Sequence, residues 1–383
     1  MSPLITSQAS ADDSNASTPT TQAPELAQPP TVSIDLGFLL DRRNYHQVSV
    51  EDVSPAFLES KHKPPLGASM TDLIEHGHFR RAAEAALDEL LQCSRNDASR
   101  ILELLYTRLA CLMVASMPDL AADEAVALTD FLHRNAQGAK DVLPMIPWEL
   151  RLLLVRLQSI VAQDGGRRGI MALYALSAEV RSHLKEARPS QDEIAISTWS
   201  ARLTDLGLRV ADTLVEMGEL ETATRHLDTL TAADADEIHT RKTLLRIRVG
   251  DVAAAKKSVP GIADGTRKDM LNALLKTADG NVDEATSVWK SLADAHPDDQ
   301  LLAQNLAVSL LYTGRIAEAR SVFESLVRDS PAFFALLFNL STVYELCTER
   351  ALERKGGLSE HLASKTPQAA SGGWERNVTD FKL

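Results

Sequence analysis

The stretch GRIAEARSVFESLVRDSP, Gly314 to Pro331, has a near-copy upstream in GNVDEATSVWKSLADAHP, Gly280 to Pro297. Aligned, the agreeing pairs are Gly280 with Gly314, Val282 with Ile316, Ala285 with Ala319, Trp289 with Phe323, Leu292 with Leu326 and Pro297 with Pro331. The separation is the same for every pair.

That shared period, about 34 residues, is that of the tetratricopeptide repeat, a helix-turn-helix unit with few fixed positions. The physical reason for each is readable in the later copy. Gly314 ends the first helix, because glycine enters the left-handed cap conformation without steric cost. Ala319 is expected where the two helices of the unit cross most closely, and Ile316 and Phe323 point into the seam at helical spacing. Pro331 is expected to open the next helix, where its missing N–H costs nothing.

The pattern Gly-x-(Leu/Val/Ile)-x-x-Ala finds two more copies, Gly218 to Ala223 and Gly250 to Ala255. The steps from Gly218 to Gly250 and from Gly250 to Gly280 are both shorter than the step from Gly280 to Gly314. Such compression shortens helices or turns. An isolated match runs from Gly77 to Ala82, and Asn305-Leu306 recurs one full period later as Asn339-Leu340. The segment FFALLFNLSTVYEL therefore reads as a further first helix that caps the array. Its stop is expected in ALERKGG, with Arg354 and Lys355 at the negative end of the helix dipole and Gly356 as the cap.

These signals predict an all-α chain, a tetratricopeptide-repeat helical solenoid with a disordered N-terminal tail. Aromatics are only 5% of the 383 residues, and no alternating β-branched run is long enough for a sheet. The expected layout is a disordered tail (1–30), an irregular extension (31–66), helical hairpins with one isolated repeat-like unit (67–200), the repeat array with its capping helix (201–355) and a C-terminal tail (356–383). The extension has apolar clusters without a sustained period. It reads as a loosely packed terminus, or as a segment that docks on the array or on a partner.

The net charge of −13 disfavours a nucleic-acid binder and an anionic-membrane binder, both of which need a dense basic surface. Cys93, Cys111 and Cys347 lack metal-ligand spacing and fit a reducing compartment, with the cytoplasm as the default. The apolar run ILELLYTRLACLMVASM is interrupted by Glu103 and Arg108 and reads as a buried helix, so no membrane insertion is expected. No secretory or mitochondrial targeting segment is read at the N-terminus.

No catalytic motif is present: no phosphate-binding glycine loop with its lysine, no His-Glu-x-x-His helix, no nucleophile elbow. No catalytic, cofactor-binding or metal residues are therefore assigned, and the chain is read as a non-enzyme. An enzyme working from residues 97–200 would require a closed pocket with converging ionisable groups. His76 and His78 flank Gly77 but lack further ligands, and their spacing matches a helix cap. Gly218, Ala223, Gly250, Ala255, Gly280, Ala285, Trp289, Pro297, Gly314, Ala319, Phe323 and Pro331 are read as repeat-defining structural residues. For Asn305 and Asn339 two readings stand: side chains facing a peptide-binding concave groove, or helix-to-helix hydrogen bonds. A clamp for a chaperone's terminal carboxylate is absent, because Met270, Leu274 and Ala335 stand where basic or amide residues are wanted.

Two stretches go beyond the generic repeat. PWELRLLLVRLQ (Pro147 to Gln158) and LLFNLSTVYELCTERA (Leu336 to Ala351) resemble, in that order, the most recognisable segments of the subunit 12 family of the trafficking protein particle (TRAPP) complex. The ending WERNVTDFKL resembles the family's ending, and the resemblance takes in about residues 67–383. The N-terminal extension is shorter than in animal members and the middle units are irregular. The resemblance implies a non-catalytic scaffold subunit of a complex that tethers vesicles and promotes nucleotide exchange on a Rab GTPase in ER–Golgi transport and autophagy. Its implied partners are other TRAPP subunits, above all the large peripheral-arm subunits. Its implied place is the cytoplasm, at early secretory membranes through the complex. The alternative is a stand-alone adaptor that binds a short linear peptide in the groove.

Overall fold

The structure is a computed structural model that describes residues 35–134, 143–161, 164–230 and 235–383. The tail over 1–30 lies outside the described residues. Within them the chain is all-α, with tetratricopeptide-type helical hairpins, and the only β-pairing is an isolated antiparallel bridge between Val53 and Asn377. Two compact units are distinguished, one formed by residues up to 219 together with 358–379, the other by 220–357 together with 380–383.

The first unit contains α1 (Pro55–Leu58), α2 (Met70–Glu75), α3 (Phe79–Leu91), α4 (Ala98–Val114), α5 (Pro118–Arg134), α6 (Trp148–Val161), α7 (Arg167–Ala187) and α8 (Glu193–Glu216). Side-chain caps start several of these: Ser69 accepts from Asp72 N at 3.1 Å, Asp97 from Arg100 N and Asp192 from Ala195 N, both at 3.0 Å. Gly77 has φ 74°, and a β-carbon there would meet Gln368 O at 3.0 Å and Trp374 N at 3.1 Å. Glycine is therefore required by backbone conformation and by close approach of the chain alike.

The extension ahead of α2 is part of this core, which corrects the loosely packed reading. Leu39 is fully buried and Leu36, Tyr45, Val48, Val53 and Phe57 nearly so. Leu36, Leu39, Tyr45 and Val48 join the apolar cluster of the first unit, and Arg108, the residue that interrupted the apolar run of α4, ties the extension to it by hydrogen bonds. Arg108 is 1% exposed and donates from Nε and Nη2 to the two oxygens of Glu124 in α5, both at 2.6 Å. It also donates to Ala83 O in α3 and to His46 O in the extension, both at 2.8 Å, while His46 N donates to Glu124 Oε1 at 2.9 Å. A buried bidentate pair persists where its remaining donors and acceptors are satisfied, and here the acceptor that completes it belongs to the extension.

Residues 372–379 close the same unit. Trp374 N donates to Gly77 O at 2.9 Å, Ser54 N to Arg376 O at 2.9 Å and Val378 N to Asp52 O at 2.9 Å. The Trp374 ring meets Phe57 and His78 edge-on at 5.3 and 5.1 Å. Arg80 donates to Asn377 Oδ1 at 2.8 Å and faces Glu375, whose carboxyl is pushed up by burial.

The second unit contains α9 (Leu220–Thr229), α10 (Ala235–Val249), α11 (Val252–Ser258), α12 (Thr266–Ala278), α13 (Val282–Ala295), α14 (Gln300–Tyr312), α15 (Ile316–Asp329), α16 (Phe334–Cys347) and the first turns of α17 (Ala351–Ala363). Each glycine of the pattern has positive φ: 81° at Gly218, 90° at Gly250, 85° at Gly280 and 76° at Gly314. At Gly314 a β-carbon would touch nothing, so conformation alone selects glycine; its N–H donates to Leu311 O and that of Arg315 to Leu310 O, the two bonds of a Schellman cap. Ala223, Ala255, Ala285, Ala319 and Phe323 are fully buried and Trp289 is 2% exposed. Compression of the upstream period falls on second helices, since α9 has 10 residues and α11 has 7, against 14 each in α13 and α15.

Three local expectations are corrected. Pro297 lies in a turn ahead of Asp299, which caps α14 by accepting from Leu301 N at 2.9 Å; Pro331 lies in extended chain shortly before α16. Neither proline opens a helix, because an aspartate cap does that work at α14. The capping helix does not run to Gly356: α16 stops at Cys347, and α17 passes through Gly356 and Gly357. Glycine in a helix costs about 1 kcal/mol relative to alanine, and the buried faces of Leu358, Leu362 and Ala363 on the same helix oppose that cost. Lys355 is not at a helix end but mid-helix and 3% exposed.

Ala319→Glu is expected to destabilise the second unit by at least about 3 kcal/mol, since a carboxylate enters a closed helix crossing without a partner. Circular-dichroism melting measures it, and an unchanged melt refutes the crossing. In the first unit, burial lowers the His78 pKa from 6.5 to about 4. The unfolded chain therefore takes up the proton first, so this contribution to stability is complete above about pH 6.5 and declines as pH falls toward 4. The urea midpoint of the wild-type chain is expected to fall between pH 7 and 5, with a shallower fall in His78→Gln.

Candidate protein-interaction face of the repeat units

The two capping first helices carry the candidate face. Both α14 and α16 are apolar around most of their circumference, and such helices are ordinarily enclosed on all sides. Here one side of α16 is open, and α14 is exposed at its last residue. On α14 Tyr312 is 68% exposed; on α16 Phe334, Phe338 and Leu346 are 55%, 40% and 63% exposed. The rings of Phe334 and Phe338 stack at 5.8 Å. Phe334, Phe338, Thr342 and Leu346 follow the i, i+4 row of α16, so they form one ridge.

The opposite sides of these helices are packed. Thr286 of α13 and Ser309 of α14 share a hydrogen bond of 2.7 Å between buried hydroxyls, and Tyr344 of α16 donates to Glu324 of α15 at 3.2 Å. Burial and the Glu324 carboxylate push the Tyr344 hydroxyl up to about 12, so it stays a donor at neutral pH. Trp289, Leu292, Leu302 and Ala273 fill the seam beneath α13 and α14.

Asn305 and Asn339 occupy equivalent, half-buried positions on α14 and α16. The Asn305 Nδ2 is buried without a hydrogen-bond partner, and so is Oε1 of the adjacent Gln304. Asn305 thus forms no helix-to-helix amide bond, and its buried donor remains unsatisfied. The exposed ring pair and Tyr312 escaped sequence reading because their apolar character resembles that of core residues. The uniform apolarity of FFALLF was the available signal.

In the first unit the segment from Trp148 to Ile160 serves packing. The Arg202 guanidinium lies over the rings of Trp148 and Trp199 at 4.7 and 4.6 Å, His183 stacks on Trp199 at 4.4 Å, and Arg151 binds Glu179 at 2.8 Å. Burial lowers the Arg202 pKa, and the cation–π contacts stabilise its charge. A small cavity between α4, α5 and the extension is lined by apolar side chains, among them Leu36, Leu102, Leu128 and Ile146, with no ionisable group on its wall. Among the described residues no three His, Cys, Asp or Glu side chains gather as a metal-ligand set, and no helix is long and apolar enough to cross a membrane.

No family profile matches the chain. It is similar to trafficking protein particle complex subunit 12 of Mus musculus, 25% identical over 247 residues, and to that of Homo sapiens, 23% identical over 247 residues. The match takes in 60% of this chain, less than the 67–383 marked by the motifs, and 29% and 31% of the mouse and human proteins. The chain thus spans under a third of the curated relatives it matches. Among solved structures it is similar to a tetratricopeptide repeat protein from Parabacteroides merdae, at 17% identity with a TM-score of 0.42 over 69% of this chain and 93% of that one. It is also similar to the P58(IPK) TPR domain, at 15% identity with a TM-score of 0.21 over 76% and 91%.

Asn305→Ala combined with Asn339→Ala is expected to leave the melting temperature within a few degrees of wild type, because neither change opens a large cavity. A loss of stability above about 2 kcal/mol in that variant would assign both amides to the internal packing of the array.

Proposed function

We propose that the chain is a non-catalytic scaffold subunit of the trafficking protein particle complex, which tethers vesicles and promotes nucleotide exchange on a Rab GTPase in ER–Golgi transport and autophagy. The similarity to subunit 12 over 247 residues carries this reading. The hairpins of residues 67–200 and the array of 201–355 supply the docking surfaces, and the large peripheral-arm subunits are the partners. Exposed apolar ridges on rigid helices support it, since stacked repeats offer partner area without a chemical pocket. The chain works in the cytoplasm and reaches early secretory membranes through the complex. It makes no contact with nucleic acid, for which a net charge of −13 is unsuited, and it contributes no step of the exchange reaction.

A second reading is a stand-alone adaptor that binds a short linear peptide in its concave groove. The two differ in what travels with the chain. Affinity purification from native cells at endogenous level is expected to recover the TRAPP core and its large arm subunits in fixed ratio. Recovery of the chain alone, or with chaperones only, contradicts the scaffold reading.

A further inference from the structure

The apolar ridge of α16 is not bare along its whole length. The segment Asp380–Leu383, in the same unit, lies against its middle. Phe381 is fully buried, and the Lys382 ammonium stands 5.2 Å from the centre of the Phe338 ring. That ammonium donates to Thr342 Oγ1 at 3.2 Å and to Glu345 Oε2 at 2.5 Å. The second oxygen of Glu345 accepts from Lys355 Nζ at 2.6 Å, and Lys355 also donates to the Lys382 carbonyl at 2.9 Å. The Glu345 carboxyl is held below the usual carboxylate range by these two lysines.

Side chain and main chain of Lys382 are thus gripped at four points: a ring face for its charge, a hydroxyl and a carboxylate for its N–H donors, and a buried ammonium for its carbonyl. Val378–Phe381 form a single 3-10 turn, so Lys382 is presented at the end of a turn, with its side chain and its carbonyl both held. Lys382 is held at φ 53°, a left-handed conformation that a non-glycine residue adopts at a cost and keeps only when its contacts dictate it. On either side the ridge continues with Phe334 and Leu346 exposed, and Leu383 is 47% exposed.

We propose that the α16 face is a receptor for a turn-forming protein segment in which an aromatic residue precedes a lysine, and that Phe381-Lys382 of this chain is its resident occupant, which a partner segment of the same chemistry displaces. Phe338 and Thr342 with Glu345 select the lysine, and Lys355 reads the main chain. An acidic or phosphorylated partner is disfavoured by Glu345, and an arginine would not match the single-point geometry at Thr342 and Glu345 as a compact ammonium does. The inference rests on the reading of helical faces as docking surfaces, but it needs no other subunit, so its test is separate from copurification.

The probe is a fluorescein-labelled peptide of sequence NVTDFKL, followed by anisotropy against the full chain and the chain lacking residues 380–383. A tethered segment competes at an effective concentration on the order of millimolar. Removal of 380–383 is therefore expected to tighten peptide binding at least about ten-fold, and Glu345→Lys in that background to weaken it by about ten-fold. Because loss of Phe381 could unfold the unit, a second measurement uses the intact chain. Acylation of Lys382, read by mass spectrometry, is expected to be several-fold slower than that of exposed Lys257, to rise in Glu345→Gln, and to rise when millimolar peptide is added. Lys382 reacting as fast as Lys257 in the wild-type chain overturns the proposal. So does reactivity that peptide leaves unchanged, or a concentration-dependent wild-type dimer in which the segment seats on a second copy.

Discussion

The helix pairs depend on a steric constraint: two backbones approach closely only where the side chain between them is a methyl group. Ala82 in the first unit and Ala255, Ala285 and Ala319 in the second are all without exposed surface. The rest of each hairpin follows from that closeness. A ring at Trp289 or Phe323 reaches across the seam because the axes are near, and a left-handed glycine is needed just before the second helix because the turn between them is short. Substituting the small residue would move axes, rings and turn together, so the small residues carry more of the fold than their own buried area does.

The first unit adds a polar constraint. Arg108 and Glu124 are both 1% exposed, and a charge pair at such depth is tolerable only with nearly every donor and acceptor engaged. His46 supplies a carbonyl to one member and an N–H to the other. An extension without helical periodicity is thereby held by two backbone groups as well as by its buried apolar side chains. The segment 372–379 is fixed in the same manner, through Gly77, Asp52, Ser54 and Arg80.

In the second unit the surplus of apolar surface lies on α16, where Phe334 and Leu346 remain open and Glu345 links two lysines. An assembly subunit needs surface of this kind: apolar contact for affinity, bounded by a charge that sets register.

The sequence by itself determined the helical hairpins and their register, because the cap glycines, crossing alanines and seam aromatics act over a few residues and so recur at a fixed period. The resemblance to subunit 12 was equally legible, in Pro147 to Gln158 and Leu336 to Ala351. Asn305 could be named as a candidate, but not that its amide lacks a partner. Only the tertiary structure decided that Arg108 anchors the extension, that α17 continues through Gly356, and that Lys382 lies on Phe338 beside Glu345. Each of these joins residues far apart in the chain, or balances a local helix breaker against distant burial. Such terms leave no period in the sequence, since they depend on which surfaces meet once the helices have packed.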